Sequence, residues 1–190
     1  SWISTDEGES DHLQWATYEN DQWKLASTIA SGTDWFVNWA DFPAMAQTES
    51  FIIAHWLQKS TEGTYDYDIH VALSEDKGEN WDTSFILHRD QISAEHGFVS
   101  LMPENNDAIR AVWLDGRMTK MSDGNHSGHS GQGGGAMTLR TALIHKDGTL
   151  SDEKELDHRV CDCCQTDVAV ADSVVLVVYR DRSPDEVRDM

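Results

Sequence analysis

The amino-acid sequence predicts an all-β fold assembled from repeated units of four short antiparallel strands. Three observations predict it. Short apolar stretches recur at intervals of roughly 50–65 residues. A turn with the spacing Ser74-x-Asp76-x-Gly78-x-x-Trp81 follows one of them. Hydrophobic residues show almost no helical periodicity.

Four aromatic residues mark the repeat. Trp2, Trp56, Trp113 and Tyr179 occupy equivalent positions, each followed by a short segment of similar pattern. Apolar strands precede the last three, at 51–54, 109–112 and 174–178. Because the aromatic position recurs with the same flanks, these segments are predicted to be the equivalent strand of successive structural units.

We name the strands of a unit A to D in chain order, with strand B ending at the aromatic residue. An acidic turn is predicted between strands C and D of each unit. The C strands are predicted at Leu13–Thr17, Ile69–Leu73 and Leu139–Leu143, the D strands at Leu25–Ile29, Ser84–His88 and Glu155–Val160, and the A strands at Phe42–Gln47, Gly97–Met102 and Thr166–Ala171.

Units of four antiparallel strands at this period are typical of β-propeller blades. The blades are predicted at about 1–30, 42–88, 97–160 and, incomplete, 166–190. A propeller closes with roughly 4–8 blades. A chain with three to four blades therefore predicts either further blades beyond this sequence, which its abrupt ends favour, or a homodimer of two half-rings.

The chain is strongly acidic. Its formal net charge is −20, from 14 basic and 34 acidic residues, so the phosphates of a nucleic acid would be repelled. No apolar stretch approaches the length of a membrane span. The charge favours a well-solvated surface in a salty or extracellular setting, with cation binding as the alternative.

The turn at 74–81 has an identifiable mechanism. Asp76 can hydrogen-bond to the nearby backbone, Gly78 can adopt a positive φ, and Trp81 can fold back onto the hairpin. Because the strands are antiparallel, this C–D turn lies at the opposite end of the unit from the B–C and D–A connections. We therefore expect it to stabilise one unit rather than to form part of a binding site.

The B–C and D–A connections hold most of the unusual residues. Trp, carboxylates and Arg on long loops around a channel predict a site for a carbohydrate or a small anion. The alternative is that each Arg pairs with a neighbouring Asp as a structural bridge. The candidate ligand-binding residues are Asp34, Trp35, Trp39, Asp41, His96, Asp115, Arg117, Arg140, Arg180, Arg182 and Glu186.

All three cysteines lie within four positions, as Cys161, Cys163 and Cys164. Together with His158 they are candidate ligands of a soft metal such as Cu(I) or Zn. A disulfide is the competing interpretation, either between Cys163 and Cys164 or from Cys161 to one of them, and plain thiols are the third.

The chain resembles the bacterial sialidase-like propellers with BNR (Asp-box) repeats, over nearly its whole length. The resemblance rests on residues 74–81, 113–117, 134–140, 161–166 and 179–183. It implies a six-bladed ring, a periplasmic or secreted location and a glycan ligand, with exo-sialidase-like hydrolysis as the expected enzyme activity. Sialidases use three Arg, a Tyr–Glu pair and an acidic Asp, and the sequence assigns none of the catalytic roles to a residue.

We therefore expect a propeller that binds or hydrolyses glycans at the end that carries the B–C and D–A connections. One alternative is a propeller that binds Cu or Zn, or is linked to redox chemistry, through its cysteine and histidine loops. The other is a non-catalytic scaffold that binds another protein.

Overall fold

The computed structural model describes residues 1–120, 135–171, 174–185 and 187–188. These ranges form β-strands and one short helix. The strands are β1 (Trp2–Thr5), β2 (Asp11–Trp15), β3 (Tyr18–Glu19), β4 (Gln22–Trp23), β5 (Ser27–Gly32), β6 (Met45–Gln47), β7 (Ile52–Lys59), β8 (Tyr67–Ser74), β9 (Phe85–Ile86), β10 (His96–Asn105), β11 (Ala108–Asp115), β12 (Thr138–His145), β13 (Leu150–Asp157), β14 (Asp167–Ala171) and β15 (Val174–Val178), and the helix is α1 (Arg117–Lys120).

The chain is all-β, as predicted, and its main sheets are antiparallel meanders. The first sheet has the order β1-β2-β5, the second β6-β7-β8-β9, the third β10-β11-β12-β13 and the fourth β14-β15. The hairpin β3-β4 lies between β2 and β5 in the chain. The second and third sheets thus contain strands A to D, the first contains B to D, and the fourth contains A and B.

One strand differs clearly from its predicted position. The D strand of the third sheet was expected at Glu155–Val160, whereas β13 begins at Leu150. The Gly148 N–H donates to the His145 carbonyl at 2.9 Å, and the His145 N–H donates to the Thr149 carbonyl at 2.9 Å. This tight turn lets strand pairing resume directly after it.

The largest hydrophobic core includes side chains of the second and third sheets. β7 and β8 contribute Ile53 and Ile69, and β11 and β12 contribute Ile109 and Ile144, all fully buried. Burial of each such side chain stabilises the fold by about 1.5–3 kcal/mol. A smaller core joins the first two sheets, where the ring of Trp35 stacks on that of Trp56.

The sheets have two distinct ends. We call the end with the C–D turns, at 75–84 and 146–149, the turn end. The opposite end carries the B–C and D–A connections, and we call it the loop end. This division follows from the antiparallel order of the strands, and the candidate site residues named above lie mainly at the loop end.

The turn at 74–81 has the expected hydrogen bonds. The Ser74 hydroxyl donates to Asp76 at 2.8 Å, and Asp76 accepts from the backbone and side chain of Asn80 at 2.9 and 2.7 Å. Gly78 has a φ of 85°. Trp81 packs edge-on against Trp15 of the first sheet, with ring centroids 6.1 Å apart. The turn therefore also contacts the neighbouring sheet.

The fourth sheet leaves apolar side chains exposed. Val174, Val178 and Leu176 are each about half exposed. Within the described ranges, no helix is long and apolar enough to cross a membrane.

Candidate functional site

A cavity of about 590 Å³ opens at the loop end. The D–A connection of the first unit supplies Trp39 and Asp41, and the corresponding connections of the next two units supply Glu95 and Asp162. Phe36 and Tyr65 add further aromatic surface to its lining. Three successive units thus build one depression with aromatic walls and acidic groups.

Asp41 is the deepest carboxyl group of this cavity. Its Oδ1 accepts a hydrogen bond of 2.9 Å from the Phe98 N–H, whereas its buried Oδ2 has no partner among the described residues. Burial raises the pKa of Asp41 to about 7, and the charge of Glu95 adds to the rise, whereas the Phe98 N–H and the nearby Tyr67 hydroxyl oppose it. Gly97 makes room for this carboxylate, because a Cβ at that position would overlap Oδ2.

Glu95 forms the second carboxyl group of the cavity and is hydrogen-bonded to Tyr67. The Tyr67 hydroxyl donates to Glu95 Oε1 at 3.0 Å. Burial raises the pKa of Glu95 to about 7; the hydrogen bond from Tyr67 opposes this and the charge of Asp162 reinforces it. Burial and the nearby carboxylates also raise the pKa of Tyr67, so its hydroxyl stays protonated and acts as a donor. Phe36 stacks on the Tyr67 ring, with centroids 4.1 Å apart.

A buried network of histidines and aspartates adjoins the cavity. The rings of His88 and His96 stack with centroids 3.6 Å apart. Asp90 joins them, with Oδ1 2.7 Å from His88 Nδ1 and Oδ2 3.0 Å from His96 Nε2. Burial favours a higher pKa for Asp90, but the contacts with His88 and His96 outweigh burial and lower the pKa. His96 Nδ1 donates to the Tyr67 carbonyl at 3.3 Å, which connects the network to the cavity.

Arg117 supplies positive charge to this network. Its guanidinium forms two bonds of 2.7 Å to Asp115, which is fully buried, and lies 3.2 Å from Asp90. Asp115 also accepts from the Trp113 indole N–H at 2.9 Å. Oxygen and nitrogen atoms of this network lie close enough together to hold a metal ion, and the Arg117 guanidinium offsets part of the negative charge of Asp90 and Asp115. The network therefore serves to join the second and third sheets.

The three cysteines form a compact cluster beside the cavity. Their Sγ atoms are 3.5, 3.7 and 3.9 Å apart, and all three are free thiols. Arg180 Nη1 lies 3.7 Å from Cys164 Sγ, and Arg188 Nη1 lies 3.5 Å from Cys161 Sγ. Despite burial, hydrogen bonds to the sulfur and the charge of Arg188 lower the pKa of Cys161. Cys163 also lines the cavity.

The remaining sequence-predicted residues lie apart from the cavity. Trp35 is buried against Trp56, and Asp34 is exposed. Arg140 pairs with Glu155 at 3.2 Å, which fits the structural-bridge interpretation.

Three further candidates, Arg182, His158 and Glu186, remain to be placed. Arg182 lies 3.8 Å from Asp162. The His158 side chain is 86% exposed and is not part of the cysteine cluster. Glu186 lies outside the described residues.

Sequence reasoning missed several residues of the site. Tyr67 and Glu95 are 28 positions apart and meet because the start of β8 lies beside the segment preceding β10, as an isolated Tyr67–Glu95 bridge shows. The sequence predicted His88 as the end of a strand and placed Asp90 in the connection that follows it. One signal was present, since Glu95 directly precedes the candidate His96.

Comparison with protein-family models, with curated proteins and with solved structures gives no match for this chain.

Proposed function

We propose that the cavity at the loop end binds a neutral sugar and hydrolyses its glycosidic bond, with Asp41 and Glu95 as the acid–base pair. The observation that carries this proposal is the convergence of two carboxyl groups, both with a pKa raised to about 7, on one cavity with aromatic walls. Glycoside hydrolysis uses a pair of carboxyl groups on either side of the scissile bond.

The two carboxyl groups have different surroundings and therefore different roles. Since their charges repel each other, the pair holds about one proton near neutral pH. Asp41 is the more deeply buried, which favours its protonated form. Asp41 is therefore the proton donor to the leaving oxygen, and Glu95, held by the Tyr67 hydroxyl, accepts a proton from the attacking water.

The charge of the cavity selects the class of sugar. Asp41 and Glu95 line it together with Asp162, whose charge is offset by Arg182 and Arg188 at 3.8 and 3.4 Å, and the described lining contains no Lys or Arg. The remaining negative charge of the Asp41–Glu95 pair would disfavour an anionic sugar such as a sialoside. Trp39 is 92% exposed and offers a flat apolar ring at the edge of the cavity, which suits the apolar face of a neutral sugar ring.

The proposal also includes the type of fold. We propose that the antiparallel meanders are propeller blades of the sialidase-like type, because each runs through its strands in chain order and neighbouring sheets pack face to face through a common core. In such an arrangement the D–A connections of successive blades meet around one depression. The cavity is built from three of these connections.

A panel of glycosides tests the proposal. We expect the purified chain to bind neutral oligosaccharides in calorimetry and to cleave neutral aryl glycosides, and to leave sialosides intact. Glu95→Gln should lower turnover about 100-fold or more while retaining binding, because it removes the base but keeps the shape. Trp39→Ala should weaken binding roughly 5–10-fold, since an aromatic contact contributes about 1 kcal/mol.

Glu49→Gln is the matched control. Glu49 is an exposed carboxylate at the turn end, bonded to Asn106 at 2.9 Å, and its replacement should change neither turnover nor binding. The proposal fails if the folded chain binds no neutral sugar. Binding without turnover, unchanged by Glu95→Gln, would remove the catalytic part and leave a sugar-binding site.

A further inference from the structure

The three cysteine sulfurs are arranged as metal ligands rather than as one disulfide with a spare thiol. The three Sγ separations, 3.5, 3.7 and 3.9 Å, are nearly equal, so the atoms form an almost regular triangle. A pair that was set up for a disulfide would leave the third sulfur distinctly further away. Here the shortest and longest separations differ by only a few tenths of an ångström.

The size of this triangle matches coordination of a single ion. Ligand sulfurs lie roughly 2.3 Å from zinc, so two corners of a tetrahedral thiolate site are separated by about 3.8 Å. The observed separations of 3.5 to 3.9 Å bracket that value. One ion can therefore contact all three sulfurs without movement of the loop that carries them.

The surroundings of the cluster suit thiolate ligands. Arg188 Nη1 lies 3.5 Å from Cys161 Sγ and 3.9 Å from Cys163 Sγ, and Arg180 Nη1 lies 3.7 Å from Cys164 Sγ. Each sulfur thus faces a guanidinium N–H. Three thiolates and one ion of charge +1 or +2 leave a net negative complex, which these two arginines offset. Outer-shell donors of this kind orient and stabilise metal ligands.

The backbone also holds the cluster in place. The Cys161 N–H donates to the Arg180 carbonyl at 2.9 Å, and the preceding Val160 N–H donates to the Met137 carbonyl at 2.9 Å. The loop is therefore tied to the segment after β15 and to the start of β12. A site whose ligands are fixed in this way loses little entropy when the ion binds.

We propose that Cys161, Cys163 and Cys164 form a three-thiolate site for one thiophilic metal ion, Zn(II) or Cu(I). Thiolate ligands select these ions over Mg, Ca or Mn. Because Cys163 and Asp162 also line the cavity, an ion at this site borders the proposed sugar site. The two proposals are independent, since metal binding is measured without turnover.

Metal titration of the full chain tests the site. The chain is reduced under inert gas, freed of metal with a chelator and titrated with Zn(II), with Cu(I) and with Co(II). We expect one ion per chain, protection of all three thiols from an alkylating reagent, and the intense visible absorption of tetrahedral Co(II). Zn(II) binding identifies a four-coordinate site completed by a non-cysteine ligand, and tight binding of Cu(I) alone identifies a three-coordinate one.

Variants separate these ligands from their neighbours. Cys161→Ser should lower the affinity at least 100-fold, because a ligand is lost, whereas Arg188→Lys should lower it about 10-fold, as for an outer-shell partner. His158→Ala is the control and should bind normally. The proposal would be overturned if the reduced wild-type chain bound neither ion while all three thiols reacted with the alkylating reagent. A two-dalton mass loss in the isolated protein, together with that failure, would assign the cluster to a disulfide.

Discussion

The two ends of the sheets use the same chemical group in opposite ways. At the turn end, Asp76 and Asp147 are exposed and accept several short hydrogen bonds, and these bonds lower the pKa of both carboxyl groups, that of Asp76 to about 2. In the cavity at the loop end, Asp41 is buried and Glu95 half-buried, each with few partners, and removal from solvent raises both pKa values to about 7.

The difference separates the carboxylates that stabilise turns from the carboxyl groups that can bind or react with a ligand. A carboxylate whose hydrogen-bonding capacity is met by its own turn has its charge fully stabilised and nothing left to offer a ligand. A buried carboxyl group with few hydrogen bonds is costly to the fold and has a pKa suited to proton transfer near neutral pH. Residue type alone would not separate the two groups.

The largest expected effect comes from replacing a carboxyl group with an amide at one end and not at the other. Asp41→Asn should lower turnover of a neutral glycoside about 10²–10⁴-fold, the usual contribution of a general acid. The amide keeps an acceptor for the Phe98 N–H, so the fold should persist. Asp76→Asn should leave turnover unchanged. Equal turnover in the two variants, measured with the same substrate, would show that the raised pKa has no catalytic consequence.

Two glycines of the turn end provide the next effect, on stability. Gly78 and Gly148 both have positive φ, 85° and 78°, so alanine at either position costs about 1 kcal/mol of backbone strain. A Cβ at Gly78 would also overlap the Trp15 indole, whereas at Gly148 the nearest atom is 3.8 Å away. Gly78→Ala should therefore lower the free energy of unfolding by about 3 kcal/mol and Gly148→Ala by about 1.

Urea unfolding measures this pair of variants. Neither change should affect sugar binding, because both positions lie at the end remote from the cavity. Equal destabilisation by the two variants would mean that the overlap with the Trp15 indole is relieved at no cost and that the turn is not packed tightly against the first sheet.

The sequence predicted the sheets far better than the site. Strands and turns leave local signals, such as the aromatic position of the repeat and the spacing of Asp76, Gly78 and Trp81, because neighbouring residues make most of their interactions. The all-β class and the antiparallel units followed from these signals. The end of the unit that carries Asp41 and the cysteines also followed, from strand direction alone.

The interactions within the site could not be predicted in this way. The Tyr67–Glu95 bond depends on how two units pack, and the raised pKa of Asp41 depends on burial, which no local pattern encodes. The same packing gives Arg117 a buried pairing with Asp115 and Asp90 instead of an open position toward a ligand. Candidate residues chosen by type therefore separated into structural and cavity-lining groups only when the fold was known.

The pH dependence of stability provides the smallest effect and the most direct comparison of the two ends. The native Asp41 carboxyl group, with a pKa of about 7, holds a proton that the unfolded chain releases near pH 4. The free energy of unfolding should therefore fall as the pH rises from about 4 to about 7, by up to about 1.4 kcal/mol per pH unit for this group, and then level off. Glu95 acts in the same direction and window.

The turn end should respond in the opposite sense and at lower pH. The native Asp76 holds its proton less tightly than the unfolded chain, with a pKa of about 2, so stability should fall as the pH drops from about 4 to about 2. Urea unfolding from pH 2 to 8 separates the two windows. Asp41→Asn should flatten the curve above pH 4 only, and Asp76→Asn should flatten it below pH 4 only. Parallel curves for Asp41→Asn and the wild type between pH 4 and 7 would mean that this carboxyl group titrates normally, and the distinction between the two ends would then rest on hydrogen bonding alone.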